Sequence, residues 1–177
     1  MIKQNLSEGR IASYQPYSFV DGEGVRASVY FSGCLFNCKG CYNKAAQNFS
    51  YGDILTSERI QAILDDIDVA YCNGISLLGG DPFFNIETAM GIIKPFRERF
   101  GNKKSIWVWS GFTYEALLNH DNSLEMLTKI DVLVDGKFIQ EKFVPNLAFR
   151  GSTNQRIIDV RSSNATHIEV LEYDYRA

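Results

Sequence analysis

Short apolar runs that end in glycine-rich turns alternate with amphipathic segments through the middle of this chain. Val25–Phe31 has apolar residues at every second position, which predicts a strand with one buried face. Gly74–Leu78, Ser105–Trp109 and Ile130–Val134 are further short apolar runs of strand length. Strands at this spacing with helices between them form parallel sheets. The alternation therefore predicts an α/β fold.

Three segments between these runs are predicted to be helices. In the segment from Thr56 to about Ala70, the apolar residues recur at intervals of three and four, and Thr56 suits the N-cap. A second helix is predicted from about Asn85 to Phe100, with a kink at Pro95. A third is predicted from Thr113 to about Lys129.

The two ends of the chain lack this alternation. Residues 1–20 are interpreted as an extended lead-in with an edge strand near Arg10–Tyr14. After Phe138 the periodicity is lost, and Ile157–Val160 and His167–Tyr173 are predicted to be the last two strands. Four or five βα units are too few for a complete eight-fold barrel. We therefore expect one domain, residues 1–177, with a truncated, partial and open parallel (β/α) barrel.

Composition narrows the class of protein. The chain has 177 residues, of which 45% are hydrophobic, and this is enough for one continuous core. Its net charge of −3, with scattered basic residues, argues against a nucleic-acid partner. Met1–Ser7 does not resemble a signal peptide, and no run approaches the roughly 18 apolar residues of a membrane span. We expect a cytoplasmic protein without membrane contact, in which clustered cysteines are metal ligands or redox groups rather than disulfides.

Three of the four cysteines lie in the loop after the first predicted parallel strand. Cys34, Cys38 and Cys41 form a C-x-x-x-C-x-x-C arrangement, and their thiolates can turn to one side of a loop to hold an iron-sulfur cluster. Cys72 follows about thirty residues later and is predicted to be a small buried side chain. Three ligands for four irons leave one iron open to a substrate or cofactor.

Two other metal-binding arrangements use clustered cysteines. A structural zinc site usually has four cysteine or histidine ligands in two pairs, and neither His120 nor His167 has ligand-like spacing to the loop. An electron-transfer ferredoxin needs a fourth cysteine for each cluster. Both alternatives are less consistent with the spacing than an open iron-sulfur cluster.

The glycine-rich loop after the next strand, Gly79-Gly80-Asp81-Pro82, completes a combination that resembles the radical S-adenosylmethionine superfamily. The resemblance implies a [4Fe-4S] cluster with three cysteine ligands. It also implies that the amino and carboxylate groups of S-adenosylmethionine bind the open iron. In that superfamily an electron from the cluster splits the cofactor into methionine and a 5′-deoxyadenosyl radical. The protein orients the cofactors and keeps the cavity dry.

Within the superfamily, the chain is similar to the activating enzymes of anaerobic ribonucleoside-triphosphate reductase. Six segments carry the similarity: Asp21–Arg26, Gly40–Asn43, Gly79–Pro82, Trp109–Thr113, Val134–Phe138 and Arg150–Arg156. The resemblance implies a glycyl-radical activase that takes an electron from a flavodoxin-like donor and removes a hydrogen from a glycine Cα of the large catalytic subunit of the reductase. Two positions depart from the commoner pattern: Glu23 stands where many activases have proline, and Asp81 where the superfamily commonly has glutamate.

The resemblance also implies roles for individual residues, each with a simpler alternative. Gly79 and Gly80 would offer carbonyls, and Asp81 a carboxylate, to the methionine ammonium, although Asp81 also suits the cap of a following helix. Two further groups are assigned by resemblance: Gly40, Cys41 and Tyr42 to the adenine, and Ser110, Asp135 and Lys137 to the methionine carboxylate and ribose.

A role in packing suits Tyr42 almost as well as contact with the adenine, and Asp135-Gly136 is also an ordinary turn sequence. Arg150–Arg156 would face the partner or the cofactor carboxylate, or form a solvated loop. Of Trp107 and Trp109, one is expected to point to the core and the other to the cofactor side or a helix.

Two other functions are compatible with the sequence. One is a small radical enzyme acting on a metabolite, such as a 7-carboxy-7-deazaguanine synthase. The other is a zinc or iron-sulfur binding module without catalytic activity. A requirement for a protein partner distinguishes the activase from the first, and labile sulfide distinguishes it from a zinc module.

Overall fold

The computed structural model describes residues 6–173, which contain eight strands and four α-helices. The strands are β1 (Arg10–Ser18), β2 (Val25–Phe31), β3 (Asp53–Ile54), β4 (Cys72–Gly79), β5 (Ser105–Trp109), β6 (Val132–Asp135), β7 (Arg156–Asp159) and β8 (Glu169–Val170). The helices are α1 (Ser57–Ile67), α2 (Ile86–Phe100), α3 (Tyr114–Leu118) and α4 (Asp121–Leu127).

All eight strands form one open sheet in the order β3-β1-β2-β4-β5-β6-β7-β8. The central strands β2, β4, β5 and β6 are parallel, as the alternation predicted. The four outer strands pair antiparallel, so the sheet is mixed rather than purely parallel. The predicted edge strand near Arg10–Tyr14 extends to Ser18, and the two-residue strand β3 covers its outer edge. The α/β class and the open sheet are confirmed.

The first two predicted helices are present and the third is divided. Thr56 caps α1 by accepting a hydrogen bond from the backbone N–H of Arg59 at 3.2 Å, and α2 continues through Pro95. The predicted single helix from Thr113 to Lys129 is wrong, because α3 ends where the Asn119 side chain donates to the Glu115 carbonyl at 2.8 Å. His120 is extended and is the N-cap of α4. Among residues 6–173, no helix has the length and apolar character that crossing a membrane requires.

The two faces of the sheet bury different side chains. One face packs against the helices, with residues such as Val29, Leu77 and Val108 completely buried. The opposite face carries Trp107 and Trp109, whose ring centroids lie 5.8 Å apart. Residues two apart on a strand share a face, and on this face Trp107 is buried in a core cluster while Trp109 lines the cavity described below, as expected.

The Asp21–Arg26 segment lies at the end of β2 opposite the cysteine loop. The Arg26 side chain is 1% exposed, and its guanidinium donates to Ser76 Oγ at 2.8 Å and to the Ser105 carbonyl at 2.8 Å. Burial lowers the pKa of Arg26 to about 10. Asp21 accepts hydrogen bonds from Ser28 and from the Tyr30 hydroxyl. This segment forms a buried polar network at the N-terminal end of the parallel strands.

Candidate cofactor site

A cavity of about 520 Å³ opens at the C-terminal ends of the four parallel strands. Loops that follow parallel strands meet at one edge of a sheet, which is where α/β proteins bind ligands. The loops after β2, β4, β5 and β6 all contribute to its wall. The lining residues are Cys34, Phe36, Cys38, Gly40, Cys41, Tyr42, Asn43, Leu78, Gly79, Gly80, Asp81, Trp109, Ser110, Gly111, Gly136, Lys137, Phe138, Gln140, Phe143, Gly151 and Gln155.

The three clustered cysteines lie together in this wall. Cys34, Cys38 and Cys41 are free and partly exposed, whereas Cys72 is buried, as predicted. The start of the cysteine loop is fixed by hydrogen bonds from Gly33 N–H to the Ala46 carbonyl at 2.7 Å and from Cys34 N–H to the Gln47 carbonyl at 3.1 Å. Burial, followed by the charge of Asp81, raises the pKa of the Cys34 thiol to about 12. Bound iron reverses this preference, because a coordinated thiol loses its proton.

The three cysteines of the loop are free thiols that line one cavity. Within residues 6–173, no three or more histidine, cysteine or acidic side chains converge closely enough to hold one metal ion. In a [4Fe-4S] cluster each cysteine binds a different iron. Three free thiols that line one cavity therefore fit the cluster.

The Gly79-Gly80-Asp81 loop packs directly on the cysteine loop. Gly80 N–H donates to the Phe31 carbonyl at 2.7 Å, and Asp81 N–H donates to the Gly33 carbonyl at 3.0 Å. A Cβ atom at Gly80 would lie 2.6 Å from the Gly33 carbonyl oxygen. Only glycine allows this close backbone approach. The structure thus brings the two predicted loops together.

Asp81 is a buried acceptor between two strand-end loops. Its side chain is 1% exposed and accepts from Phe83 N–H at 2.9 Å, Ser110 Oγ at 3.0 Å and Gly111 N–H at 2.8 Å. Asp81 therefore caps the short 3₁₀ helix Pro82–Phe84, as the alternative interpretation expected, and also binds Ser110. Burial raises the pKa of Asp81 to about 6, although these hydrogen bonds favour the charged form.

This raised pKa predicts a pH-dependent stability. A carboxyl group that binds its proton more tightly when folded stabilises the protein at low pH, and this contribution is lost as pH rises through about 6. Between pH 7 and about pH 4.5, the free energy of unfolding of the cluster-free protein is expected to gain about 2 kcal/mol from Asp81. Urea unfolding of the wild type and of Asp81→Asn at both pH values measures the difference. Equal pH dependence in the two proteins would contradict the raised pKa.

Asp135 and Lys137, which were assigned to the cofactor together, have different surroundings in the structure. The Asp135 carboxylate is 1% exposed and accepts from Tyr114 N–H at 2.8 Å and from Arg156 Nε at 3.0 Å, and Asp135 does not line the cavity. Arg156 also binds Glu115, and this contact lowers the pKa of Glu115 to about 2. Lys137 does line the cavity, with its ammonium 4.8 Å from the centroid of the Phe36 ring.

Tyr42 and part of the Arg150–Arg156 segment also line the cavity. The Tyr42 side chain is 99% exposed, so it does not pack in the core. Within Arg150–Arg156, Gln155 faces the cavity and joins two loops: its Oε1 accepts from Gly151 N–H at 2.9 Å, and its Nε2 donates to the Gly136 carbonyl at 2.9 Å. Arg156 pairs with acidic residues instead.

Sequence reasoning did not single out several of the lining residues. Phe36 and Gln140 were missed, and Phe138 and Gln155 were included only as parts of segments. The position of Phe36 between Cys34 and Cys38 is the one local signal that was present in the sequence.

Comparison with known proteins places the chain in a class and then in a family. Residues 20–158 match the family model described as a 4Fe-4S single cluster domain, so the chain is a single-cluster iron-sulfur protein of this class. It is 39% identical over 148 residues to the anaerobic ribonucleoside-triphosphate reductase-activating protein of Haemophilus influenzae, covering 81% of this chain and 94% of that protein. The proteins of the same name from Enterobacteria phage T4 and Escherichia coli are 36% and 35% identical, covering 80% and 84% of this chain and 88% and 97% of their own lengths. This chain belongs to the family of anaerobic ribonucleoside-triphosphate reductase-activating proteins.

Proposed function

We propose that this protein is a radical S-adenosylmethionine enzyme that generates a glycyl radical on the large catalytic subunit of anaerobic ribonucleoside-triphosphate reductase. The observation that carries the proposal is the meeting of three free cysteines and the Gly79-Gly80-Asp81 loop in one cavity. The names of the curated relatives support the choice of partner. The open sheet is interpreted as the truncated (β/α) barrel of the radical S-adenosylmethionine type.

Cys34, Cys38 and Cys41 would hold one [4Fe-4S] cluster and leave its fourth iron for S-adenosylmethionine. When both are bound, they would supply a 5′-deoxyadenosyl radical that takes the hydrogen atom from the glycine. The chain itself contributes binding, orientation and exclusion of water.

The loops after β4, β5 and β6 would bind the rest of S-adenosylmethionine. Gly79 and Gly80 would offer carbonyls to the methionine ammonium. A carboxylate has about four acceptor positions, and three donors occupy Asp81, so one position is left for that ammonium. Ser110 would act mainly by orienting Asp81, to which it donates.

Lys137, on the loop after β6, would bind the methionine carboxylate or the ribose. Asp135, whose carboxylate is bound to Arg156 and to Tyr114 N–H, would act by holding the loop that carries Lys137. Gly40, Cys41 and Tyr42 would contact the adenine at the mouth.

The rim of the cavity suits a protein substrate. Tyr42 and Phe143 line the cavity with 99% and 56% exposure, and Leu35, next to Cys34, is 63% exposed. Exposed apolar groups around a cavity favour docking of another protein, which can complete the wall and exclude water. The partners we propose are the reductase and a flavodoxin-like electron donor in the cytoplasm.

The test is anaerobic reconstitution with iron and sulfide, followed by electron paramagnetic resonance with reductase, reductant and S-adenosylmethionine. A glycyl signal is expected only when all components are present, and it is expected to disappear when the radical-bearing glycine of the reductase is replaced by alanine. Cleavage of S-adenosylmethionine without a glycyl signal would contradict the partner. One bound zinc ion and no labile sulfide would contradict the cofactor, and turnover of a small substrate without a protein partner would favour a metabolite enzyme.

A further inference from the structure

Phe36 is the side chain of the cysteine loop that reaches three other strand-end loops. Its ring centroid lies 4.7 Å from that of Phe112 and 5.2 Å from that of Phe84. A Cβ atom at Gly111 would lie 2.4 Å from Phe36 Cδ2, so the ring rests on the backbone of the loop after β5. Packing therefore fixes the Phe36 ring against the loops after β4 and β5, and the same ring also lines the cavity.

The Phe36 ring also contacts Lys137. The lysine ammonium lies 4.8 Å from the ring centroid, within the range of a cation–π interaction. Lys137 is an exposed residue, and a lysine side chain has about 2 kcal/mol of rotamer entropy. The contact with the ring favours a position of the ammonium in the cavity wall over positions in water. The π face occupies one side of the ammonium and leaves N–H groups free for an anionic ligand group.

We propose that Phe36 is a positioning residue for Lys137. By holding the ammonium in the cavity wall, it reduces the ordering cost of binding the carboxylate or ribose of S-adenosylmethionine. This inference rests on the proposed function, since Lys137 is assigned there to that ligand. It adds a role for a residue between two cluster cysteines that is neither a ligand nor a catalytic group.

The first test is a double-mutant cycle on the affinity of the cluster-loaded protein for S-adenosylmethionine, measured by anaerobic equilibrium dialysis. Phe36→Leu keeps an apolar side chain and removes the π face, so affinity is expected to fall about three- to tenfold. Phe36→Tyr restores a ring and is expected to recover most of the loss. Phe112→Leu is the matched control from the same aromatic cluster, and its affinity is expected to stay within about twofold of the wild type.

In a Lys137→Met background, Phe36→Leu is expected to change the affinity by less than about twofold, because the partner of the ring is gone. An unchanged affinity in Phe36→Leu, or an equal loss in the Lys137→Met background, would overturn the inference while leaving the proposed function intact. Absence of binding by the cluster-loaded wild type would overturn the proposed function and this inference with it.

A second measurement needs neither cluster nor cofactor. Acetylation of lysines by acetic anhydride, followed by mass spectrometry, compares Lys137 with the exposed Lys39 of the same protein. Contact with the ring is expected to slow acetylation of Lys137, and Phe36→Leu is expected to raise its rate about threefold relative to Lys39. An unchanged ratio would overturn the inference even if Phe36→Leu binds less iron.

Discussion

Replacing Cys38 by alanine is expected to abolish both the brown iron-sulfur chromophore and the cleavage of S-adenosylmethionine. Cys38 is the middle residue of three free thiols in one cavity wall. With only two cysteines left, two irons of a [4Fe-4S] cluster lack a protein ligand, and the cluster is not retained. Iron and labile sulfide assays after anaerobic reconstitution measure the loss, which is expected to exceed about tenfold.

Cys72→Ala is the matched control for this loss. Cys72 is 2% exposed at the start of β4, and its thiol makes a weak hydrogen bond to the Gly74 carbonyl at 3.5 Å. Its replacement removes one buried sulfur and is expected to lower the free energy of unfolding by about 1 kcal/mol. The iron and sulfide content of Cys72→Ala is expected to equal that of the wild type. Loss of the cluster in Cys72→Ala, or its retention in Cys38→Ala, would contradict a site with three cysteine ligands.

Local sequence patterns were sufficient where the structure depends on neighbours in the chain. The bounds of β2 at Val25–Phe31 agree with the period-two pattern, and α1 begins after the predicted cap at Thr56. The cysteine loop and the Gly79-Gly80-Asp81 loop meet because parallel strands bring the loops that follow them to one edge of the sheet. Predicting that these two loops meet required only the order of strands and helices along the chain.

Contacts between distant residues were not predictable in the same way. Asp135 is bound by Arg156, 21 residues later, and this pairing turns its carboxylate away from the cavity. Whether an acidic side chain at a strand end faces a ligand or an arginine depends on the antiparallel register of β6 and β7, in which Asp135 lies opposite Arg156. The break between α3 and α4 is different, because it accompanies a local side-chain hydrogen bond from Asn119 to the Glu115 carbonyl.

Gly80→Ala is the second change with a large expected effect, because it separates the two loops on which the site depends. The new methyl group would lie 2.6 Å from the Gly33 carbonyl oxygen and 2.9 Å from the Ala46 carbonyl oxygen. Both are backbone atoms that cannot rotate away, so the loops must move apart. Overpacking of this kind costs about 1–3 kcal/mol. The affinity of the cluster-loaded protein for S-adenosylmethionine is expected to fall more than about tenfold, as measured by equilibrium dialysis.

The matched glycine-to-alanine control is Gly91→Ala in α2. Gly91 is exposed, and a Cβ atom there would meet only Ile60 Cδ1 at 4.0 Å. Alanine favours a helix interior over glycine by about 0.5–1 kcal/mol, so urea unfolding is expected to show a slightly more stable protein with unchanged affinity. The two variants make the same chemical change, at Gly80 in a crowded loop and at Gly91 in a helix with open space around the new methyl group. If Gly80→Ala binds S-adenosylmethionine as tightly as Gly91→Ala does, the close contact between the two loops is not required for the site.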